Sequence, residues 1–494
     1  MNYVGISCGF HDAALSVVDD CGNILFAGHS ERYSKIKHDD SLCPKLIQDG
    51  LGYISGKYQL HYYEKPWLKA IRQFKAKQPI GPLSVHDIVG ETNMHEFRDR
   101  CGTIHTHRHH LCHAAAGFQT SPFDNATVVV IDAIGELDTI TIWNASYNDL
   151  GYANYHKIWS KSYPNSIGLL YSAMTARAGL KPLDEEYILM GMAAYGQPVY
   201  ANEILSLLSD TKHLNFAQNL HIGVGDDFLP SADPMDIAAS AQAAVEDLIH
   251  NVMSMALLRG KSRNLVFSGG VALNCLANRN LGNYLFRKIW IMPNPGDAGN
   301  SLGAAALGYG KKLKWTNAYL GHEIKGEYPV DNLIKELYTN KIVGVASGRA
   351  EFGPRALGNR SLLADPRGSE IKDKVNEIKR RQKFRPFAPV ILEELLPDYF
   401  NMPYRWDSSR YMQVVATCRR PDLFPAIIHA DGTSRVQSVP NDGSGIRKLL
   451  EQWYAKTGCP LLLNTSLNIR GEPMVNDRDD ANRFEELYNV KVIS

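Results

Sequence analysis

The segment IHTHRHHLCHAAAGF, residues 104–118, determines how we interpret the rest of the chain. It holds five histidines within nine residues, and two of them, His109 and His113, are four residues apart and run into three alanines. Alanine is a strong helix former, and side chains four residues apart project from one helical face. The spacing therefore predicts a helix that offers two imidazole nitrogens to one metal ion. Two histidines do not complete a metal site, so a polar helix face remains the alternative unless other segments supply ligands.

The composition is that of an ordinary globular protein with more than one domain. A length of 494 residues exceeds what one hydrophobic core usually holds and predicts two or three domains. The 53 basic and 52 acidic side chains give a formal charge of +1, which provides no overall attraction to nucleic acid or membrane. Eight scattered cysteines without a C-x-x-C pair indicate neither a zinc ribbon nor a disulfide framework. With no signal-peptide pattern and no membrane-length apolar run, we expect a cytoplasmic protein without a membrane partner.

A pattern of strand, loop and strand occurs twice in the first third of the chain. Its apolar runs are 3–7, 13–18 and 24–27 in the first copy, and 127–131, 139–144 and 152–159 in the second. In both copies the first loop carries a glycine and an acidic residue, Asp12 in one and Asp132 in the other. Glycine permits close backbone approach to a ligand, and an aspartate there can bind a metal ion or water. The pattern alone does not distinguish a duplication from two unrelated hairpins.

Residues 236–260 predict a long amphipathic helix, and a strand over 264–267 follows it. That strand opens through Ser268-Gly269-Gly270 into a predicted helix. A strand, a double glycine and a helix N-terminus form a cradle for a phosphate or an adenosine, because amides and the helix dipole point toward an anion.

A second unit of this kind has a strand over 289–292, a loop with Asp297 and a helix over 301–311. Sheets of α/β proteins place ligands at the carboxyl ends of their strands. Asp297 is therefore positioned to complete a His, His, Asp metal site with His109 and His113.

Residues 53–77 mix aromatic and basic side chains, and residues 65–77 predict a basic amphipathic helix. Such a run is usually a solvated face, but the mixture also suits a ring-containing acceptor. The sequence leaves both interpretations open.

The second half of the chain begins after a polar stretch, residues 311–329, which we take as the domain boundary. A helix is predicted over 330–340 and a strand over 342–346. Arginines then stand among glycines in residues 348–367, and a serine and asparagine cluster lies at 464–468. One guanidinium group can bind two phosphate oxygens at once, so this half is suited to recognise a small phosphorylated acid. An RNA-binding patch is the alternative, but many acidic residues balance the basic ones.

Taken together, the motifs resemble the NodU/CmcH group of O-carbamoyltransferases over nearly the whole chain. The matching motifs are GFHDAAL (9–15), HHLCHAAAGF (109–118), SGGVALN (268–274), P-x-x-G-D-x-G-x-x-x-G-A-A (293–305), EFGPRALGNRSLLADPR (351–367), KFRPFAP (383–389) and LNTSLN (463–468). So many motifs in one order are far more specific than any one of them.

The resemblance implies an α/β protein with two domains. Residues 1–320 would form a duplicated domain of the actin and sugar-kinase type, similar to the threonylcarbamoyl-transfer enzymes, which carries one metal ion and a nucleotide. Residues 321–494 would form a YrdC-like α/β domain for carbamoyl phosphate and carbamoyl adenylate. A homodimer is compatible with the resemblance.

The implied reaction converts carbamoyl phosphate and ATP, with Mg²⁺ expected beside the ATP, to carbamoyl adenylate and passes the carbamoyl group to a hydroxyl. The acceptor would be a small molecule, a sugar, or a hydroxymethylated pyrimidine in a nucleotide or in DNA, although the charge does not indicate nucleic acid. The alternatives are a tRNA threonylcarbamoyl-type modification enzyme and a non-catalytic ATP-binding scaffold.

The resemblance also implies site residues, which we carry over by motif. His109, His113 and Asp297 would hold the metal ion, expected to be iron. His11 and Asp132 would be catalytic residues beside the carbamoyl group, with His11 as general base for the acceptor hydroxyl. The remaining implied residues are Gly269, Gly270 and Asn274 for the nucleotide, and Arg355, Lys379, Arg385, Arg435 and Ser466 for carbamoyl phosphate and its adenylate.

The sequence departs from the family at one lysine. The family's E-Y-K-x-M-G-L-A stretch reads EYILMGMA here, residues 186–193, so that Ile188 stands in the lysine position. No role of that lysine is therefore carried over to this chain.

Overall fold

A computed structural model describes residues 1–284 and 286–494 and has an α/β fold. The chain divides into two compact units. The first comprises Met1–Ser34, His38–Ala277 and Leu281–Thr316, and the second comprises Lys35–Lys37, Asn278–Asn280 and Asn317–Ser494. Among the residues described, no helix is both long enough and apolar enough to span a membrane.

The strands of the first unit form two five-stranded sheets and a small ribbon. They are β1 (Asn2–Ser7), β2 (Ala14–Val18), β3 (Ile24–His29), β4 (Tyr58–Tyr62), β5 (Cys101–Thr106), β6 (Asn125–Ile131), β7 (Asp138–Tyr147), β8 (Ala153–Ser162), β9 (Leu208–Asp210), β10 (Asn215–Phe216), β11 (Asn264–Ser268) and β12 (Lys288–Trp290).

The helices that accompany these strands range from one turn to seven. They are α1 (Glu31–Ser34), α2 (Pro44–Leu51), α3 (Pro66–Lys75), α4 (Val85–Val89), α5 (Glu91–Arg98), α6 (His109–Thr120), α7 (Ile167–Arg177), α8 (Glu186–Met192), α9 (Ala201–Leu205), α10 (Pro234–Arg259), α11 (Cys275–Asn278) and α12 (Asn300–Tyr309).

The two large sheets have the same topology. One has the strand order β3-β2-β1-β4-β5 and the other β8-β7-β6-β11-β12. In each sheet, the three strands that come first in the chain pair antiparallel with one another. The two later strands run parallel to the central one of the sheet, β1 or β6. Corresponding strands thus occur in the same sequential order, which confirms the duplicated domain of the actin and sugar-kinase type.

Helices α6 and α12 follow the fifth strand of their sheets and pack closely against each other. A Cβ added to Gly303 of α12 would lie 2.0 Å from the backbone oxygen of Cys112 in α6. A Cβ on Gly5 of β1 would lie 1.9 Å from the backbone oxygen of Ser301. Only glycine allows these approaches, so both glycines fix the position of α12.

The second unit is built on a mixed six-stranded sheet of order β21-β17-β22-β16-β14-β23. Its strands are β13 (Tyr319–Ile324), β14 (Ile342–Ala346), β15 (Gly348–Glu351), β16 (Arg360–Ala364), β17 (Ala388–Leu392), β18 (Phe400–Asn401), β19 (Ala416–Cys418), β20 (Thr433–Ser434), β21 (Gln437–Val439), β22 (Leu461–Ser466) and β23 (Val492–Ile493). Its helices are α13 (Val330–Asn340), α14 (Glu370–Ile378), α15 (Leu396–Tyr399), α16 (Gly445–Thr457) and α17 (Arg478–Tyr488).

Three features differ from the sequence-based predictions. Residues 270–273 form a 3-10 turn, and only the four-residue α11 follows the double glycine, because the Asn274 side chain accepts from Ala277 N and caps a new short helix. The stretch taken as a polar boundary contains β13, which pairs with β15. Tyr58, Tyr62 and Tyr63 are fully buried in the core of the first sheet, so they do not form an acceptor surface.

Candidate functional site

Helix α6 places two imidazoles side by side in the interior of the first unit. His109 and His113 are each 1% exposed, and their Nε2 atoms are 3.0 Å apart. His109 is the first residue of the helix and His113 lies one turn later, so the four-residue spacing brings both rings to one face.

Two buried aspartates from the loops of the second sheet face these imidazoles. Asp132 follows β6, and its Oδ2 lies 3.1 Å from His109 Nε2 and 3.5 Å from His113 Nε2. Asp297 follows β12, and its Oδ1 lies 3.3 Å from both nitrogens. One donor atom from each of the four residues falls within 4.8 Å of the other three. Asp132, which we expected only beside the carbamoyl group, therefore lies in the same cluster as the three expected metal ligands.

The chemistry of this cluster suits a divalent metal ion. Ligands that share one ion through bonds of about 2.1 Å lie about 3.0–3.4 Å apart, close to the separations found here. Burial lowers the pKa of His109, but Asp297 and Asp132 outweigh it and raise that pKa well above its usual range. Burial likewise lowers the pKa of His113, and hydrogen bonds with the same carboxylates raise it overall. Buried carboxylates thus draw positive charge to this point, which a metal ion would supply.

Glu64, two residues after the end of β4, contacts His109 from outside the cluster. Its Oε1 lies 3.1 Å from His109 Nδ1 and its Oε2 accepts from Lys69 Nζ at 3.0 Å. Burial raises the pKa of Glu64, but the hydrogen bond with His109 and the charge of Lys69 lower it overall. With a metal ion bound at the cluster, an ionised Glu64 would accept the Nδ1 proton of His109 and leave its Nε2 lone pair to the ion, which is how carboxylates orient metal-binding histidines.

Glu136 supports the same helix through the backbone instead of the ring. Its carboxylate accepts from His109 N at 3.1 Å and from Lys65 N at 2.9 Å. A carboxylate at a helix N-terminus satisfies a free amide and the helix dipole. Glu136 therefore fixes the start of α6 without touching an imidazole ring.

His11 lies in the β1–β2 loop at the edge of the cluster, with its Nε2 3.7 Å from Asp297 Oδ2. Its Nδ1 lies 2.9 Å from Asp12 Oδ2, and Asp12 Oδ1 lies 2.7 Å from His38 Nδ1. Burial lowers the pKa of His11, but Asp12 and Asp297 raise it overall to about 9. In this arrangement the imidazole is protonated at neutral pH, whereas our expectation of a general base requires the neutral form.

The expected nucleotide residues lie at the carboxyl end of β11. Gly269 has φ +91°, and the amide of Gly270 donates to Asp132 Oδ1 at 3.2 Å. Asn274 forms a reciprocal amide pair with Gln242, at 2.9 and 3.1 Å. The double glycine therefore adjoins the cluster, while the Asn274 side chain is already bonded within the protein.

In the second unit, Lys379 and Ser466 lie together. The buried ammonium of Lys379 donates to Ser466 Oγ at 3.2 Å, to Asn468 Oδ1 at 3.0 Å and to the backbone oxygens of both residues. Burial lowers the pKa of Lys379 well below its usual range, with Arg381 and Arg385 contributing. Its four acceptors indicate that Lys379 shapes the 466–468 loop. Among the described residues, the buried Nε of Arg435 has no hydrogen-bond partner.

Sequence reasoning did not identify Glu64, Glu136 or Asn300, although Asn300 Nδ2 lies 3.0 Å from His113 Nε2. No local pattern marks the two glutamates, because each meets α6 only through the tertiary fold. For Asn300 a signal existed, since it stands three residues after Asp297. Ile188, in the family's lysine position, is 1% exposed in α8.

The duplicated sheets and the buried histidine and carboxylate cluster define an α/β enzyme of the actin and sugar-kinase fold class. The sequence matches the family model described as Carbamoyltransferase N-terminus over residues 95–306 and Carbamoyltransferase C-terminus over residues 334–493. The chain belongs to the carbamoyltransferase family and is a carbamoyltransferase.

Curated relatives align over almost the whole chain. An uncharacterized protein of Synechocystis sp. is 33% identical over 97% of this chain and 93% of its own length. Nodulation protein U of Rhizobium tropici is 28% identical over 98% of this chain and 94% of its own. Nodulation protein NolNO of Sinorhizobium fredii is 28% identical over 95% of this chain and 76% of its own.

Proposed function

We propose that this enzyme is an ATP-dependent O-carbamoyltransferase that makes carbamoyl adenylate and transfers its carbamoyl group to a hydroxyl acceptor. The observation that carries the proposal is the convergence of His11, His109, His113, Asp132 and Asp297 in a chain that belongs to the carbamoyltransferase family. The duplicated fold and the double glycine after β11 support a nucleotide in the first unit.

The proposed reaction proceeds through carbamate and then carbamoyl adenylate. Water releases phosphate from carbamoyl phosphate, the carbamate oxygen attacks the α-phosphorus of ATP, and pyrophosphate leaves. The acceptor oxygen then attacks the carbamoyl carbon and AMP leaves. The carbamoyl carbon of carbamate is a weak electrophile, and a hydroxyl cannot displace an oxygen from it. In carbamoyl adenylate, a mixed anhydride, the leaving group is AMP, which an attacking hydroxyl can displace.

We assign the residues as follows. His109, His113 and Asp297 would hold the metal ion, which we expect to be iron, with Asp132 beside it. A bound ion would supply positive charge that polarises the carbamoyl carbonyl. His11 would accept the acceptor's hydroxyl proton once the charge of Asp297 is offset, because Asp297 is one cause of its raised pKa.

In the second unit, Arg355, Arg385 and Arg435 would bind carbamoyl phosphate and its adenylate, as guanidinium groups bind phosphate. Lys379 and Ser466 would hold the loop that lines that site. The acceptor would be a small molecule, a sugar or a hydroxymethylated pyrimidine that carries the attacking hydroxyl.

The test is isotope exchange between pyrophosphate and ATP in the presence of carbamoyl phosphate. We expect exchange that disappears when carbamoyl phosphate is omitted, because pyrophosphate can return to ATP only through the adenylate. Exchange without carbamoyl phosphate, or none with it, contradicts the adenylate. A mass-spectrometric screen of hydroxylated sugars, nucleosides and antibiotics for the gain of one carbamoyl group would then identify the acceptor.

A further inference from the structure

Asn300, the first residue of α12, has an amide directed at the imidazole pair. The residue is fully buried, and its Nδ2 lies 3.0 Å from His113 Nε2 and 3.4 Å from His109 Nε2. Its Oδ1 is buried and has no hydrogen-bond partner among the described residues. One end of a buried amide thus lies against two nitrogens and the other end is unsatisfied, which is rare in folded proteins.

A bound metal ion would favour the opposite orientation of this amide, because the imidazole lone pairs would then be directed at the ion and could not accept hydrogen bonds from Nδ2. Glu64 Oε1 lies 3.1 Å from His109 Nδ1, and as the acceptor of the Nδ1 proton it would leave the Nε2 lone pair of His109 to the ion. The oxygen and nitrogen of an asparagine amide have nearly the same shape, so a half-turn of the group exchanges their positions. After that turn Oδ1 would occupy the position 3.0–3.4 Å from both nitrogens, and the amide hydrogens would leave the lone pairs free.

Those distances match the ones between the other members of the cluster. The nitrogens of His109 and His113 lie 3.0–3.5 Å from each other and from the carboxylate oxygens of Asp132 and Asp297. A carbonyl oxygen is a regular ligand of divalent ions in oxygen-containing sites. Asn300 therefore meets the same distance criterion as the expected ligands.

The topology explains why this residue reaches the cluster. His109 is the first residue of α6 and Asn300 the first of α12, and each helix follows the fifth strand of its sheet. Asn300 follows Asp297 by three residues across a 3-10 turn, where side chains three apart lie on one side. The contact of Gly303 with Cys112 holds the two helix starts close together.

We propose that Asn300 is a further ligand of the divalent metal ion, with its amide oxygen as the donor atom. The proposal rests on the metal site assigned above to His109, His113 and Asp297. Asn300 would add a neutral ligand from α12, whereas the two histidine ligands come from α6.

The test uses metal-free full-length protein titrated with Co²⁺, whose visible absorption depends on the number and type of its ligands. Wild-type protein should give a saturable absorption band. Asn300→Ala should bind Co²⁺ about tenfold or more weakly, with a band of altered shape and intensity, because one donor is lost. Asn300→Asp keeps an oxygen at the same position, so it should retain the wild-type band shape and bind at least as tightly.

Asn294→Ala is the matched control, since Asn294 is also a buried asparagine, with its Nδ2 3.3 Å from His29 Nε2, outside the cluster. It should leave the band and affinity unchanged. A wild-type band and affinity in Asn300→Ala would overturn the assignment of Asn300 while leaving the metal site intact. No Co²⁺ binding by folded wild-type protein would overturn both. If Asn300→Ala does not fold, a changed band shape in Asn300→Asp decides against the proposal.

Discussion

Glu64 should control metal affinity through the tautomer of His109. In Glu64→Gln the side chain keeps its length, but the charge that favours a donating Nδ1 is lost. The contact between Glu64 Oε1 and His109 Nδ1, at 3.1 Å, is buried, and Glu64 is 4% exposed. Water therefore does not replace the lost bond. A hydrogen bond to a charged group contributes about 1.5–3 kcal/mol. At about 1.4 kcal/mol per factor of ten, affinity should fall roughly 10- to 100-fold, as for other partners of metal-binding histidines.

The affinity of metal-free protein for Co²⁺ or Fe²⁺ is measured by competition with a chelator of known affinity. Glu136→Gln is the control, because Glu136 is an equally buried glutamate that bonds to the backbone amide of His109 and not to its ring. It should lower the unfolding free energy but change metal affinity less than threefold or so. Equal losses of affinity in the two variants would refute tautomer control, since they would trace both effects to the position of α6.

Three further predictions use other parts of the first unit. His11→Asn should spare carbamoyl-phosphate-dependent ATP/pyrophosphate exchange and abolish carbamoyl transfer, and equal loss of both activities would count against a base role. Gly303→Ala places a Cβ 2.0 Å from the Cys112 oxygen and should cost about 2 kcal/mol or more in urea unfolding, whereas Gly191→Ala, with no atom within 4 Å, should be neutral or stabilising. Burial lowers the pKa of His61 to about 3 from 6.5, so the unfolded chain binds its proton first and stability falls as pH drops from about 6.5 toward 3. His61→Gln should remove up to about 1.4 kcal/mol per pH unit from that slope in urea unfolding at pH 7, 6 and 5, and an unchanged slope would contradict the shift.

Elements with strong local signals were predicted closely from the sequence. The helix and strand expected at 330–340 and 342–346 are α13 and β14, with the same bounds. The amphipathic pattern predicts the helix and the short apolar run predicts the strand from local sequence alone. Lys341 lies between them with φ +66° and ends the helix. The repeated hairpins were also visible, although only the pairing of β4, β5, β11 and β12 established that they belong to a duplication.

Other features depend on contacts that the local sequence does not contain. Tyr58, Tyr62 and Tyr63 lie in a segment that reads as aromatic and basic, yet all three are buried in the core of the first sheet. The hydroxyl of Tyr58 donates to the backbone oxygen of Phe97 in α5, and that of Tyr62 donates to the backbone oxygen of Cys8. The strand before the double glycine at 269–270 was predicted correctly. The helix expected after it is only the four-residue α11, because the Asn274 side chain accepts from Ala277 N and starts a new short helix. Glu64 and His109 are 45 residues apart in sequence, so their contact follows from the fold alone.

The duplication itself explains how a site with donors so distant in sequence can be specified. Asp132 lies in the β6–β7 loop, and His11 lies in the corresponding β1–β2 loop of the other sheet. His109 begins α6, and Asn300 begins α12, its counterpart. Each half therefore contributes one loop and one helix start, and the contact of Gly303 in α12 with Cys112 in α6 brings the helix starts together. A substitution that shifts α12 should then weaken the cluster even when every donor is retained, so Gly303→Ala should lower Co²⁺ affinity as well as stability. Loss of stability with full affinity would show that the cluster is held by the loops alone.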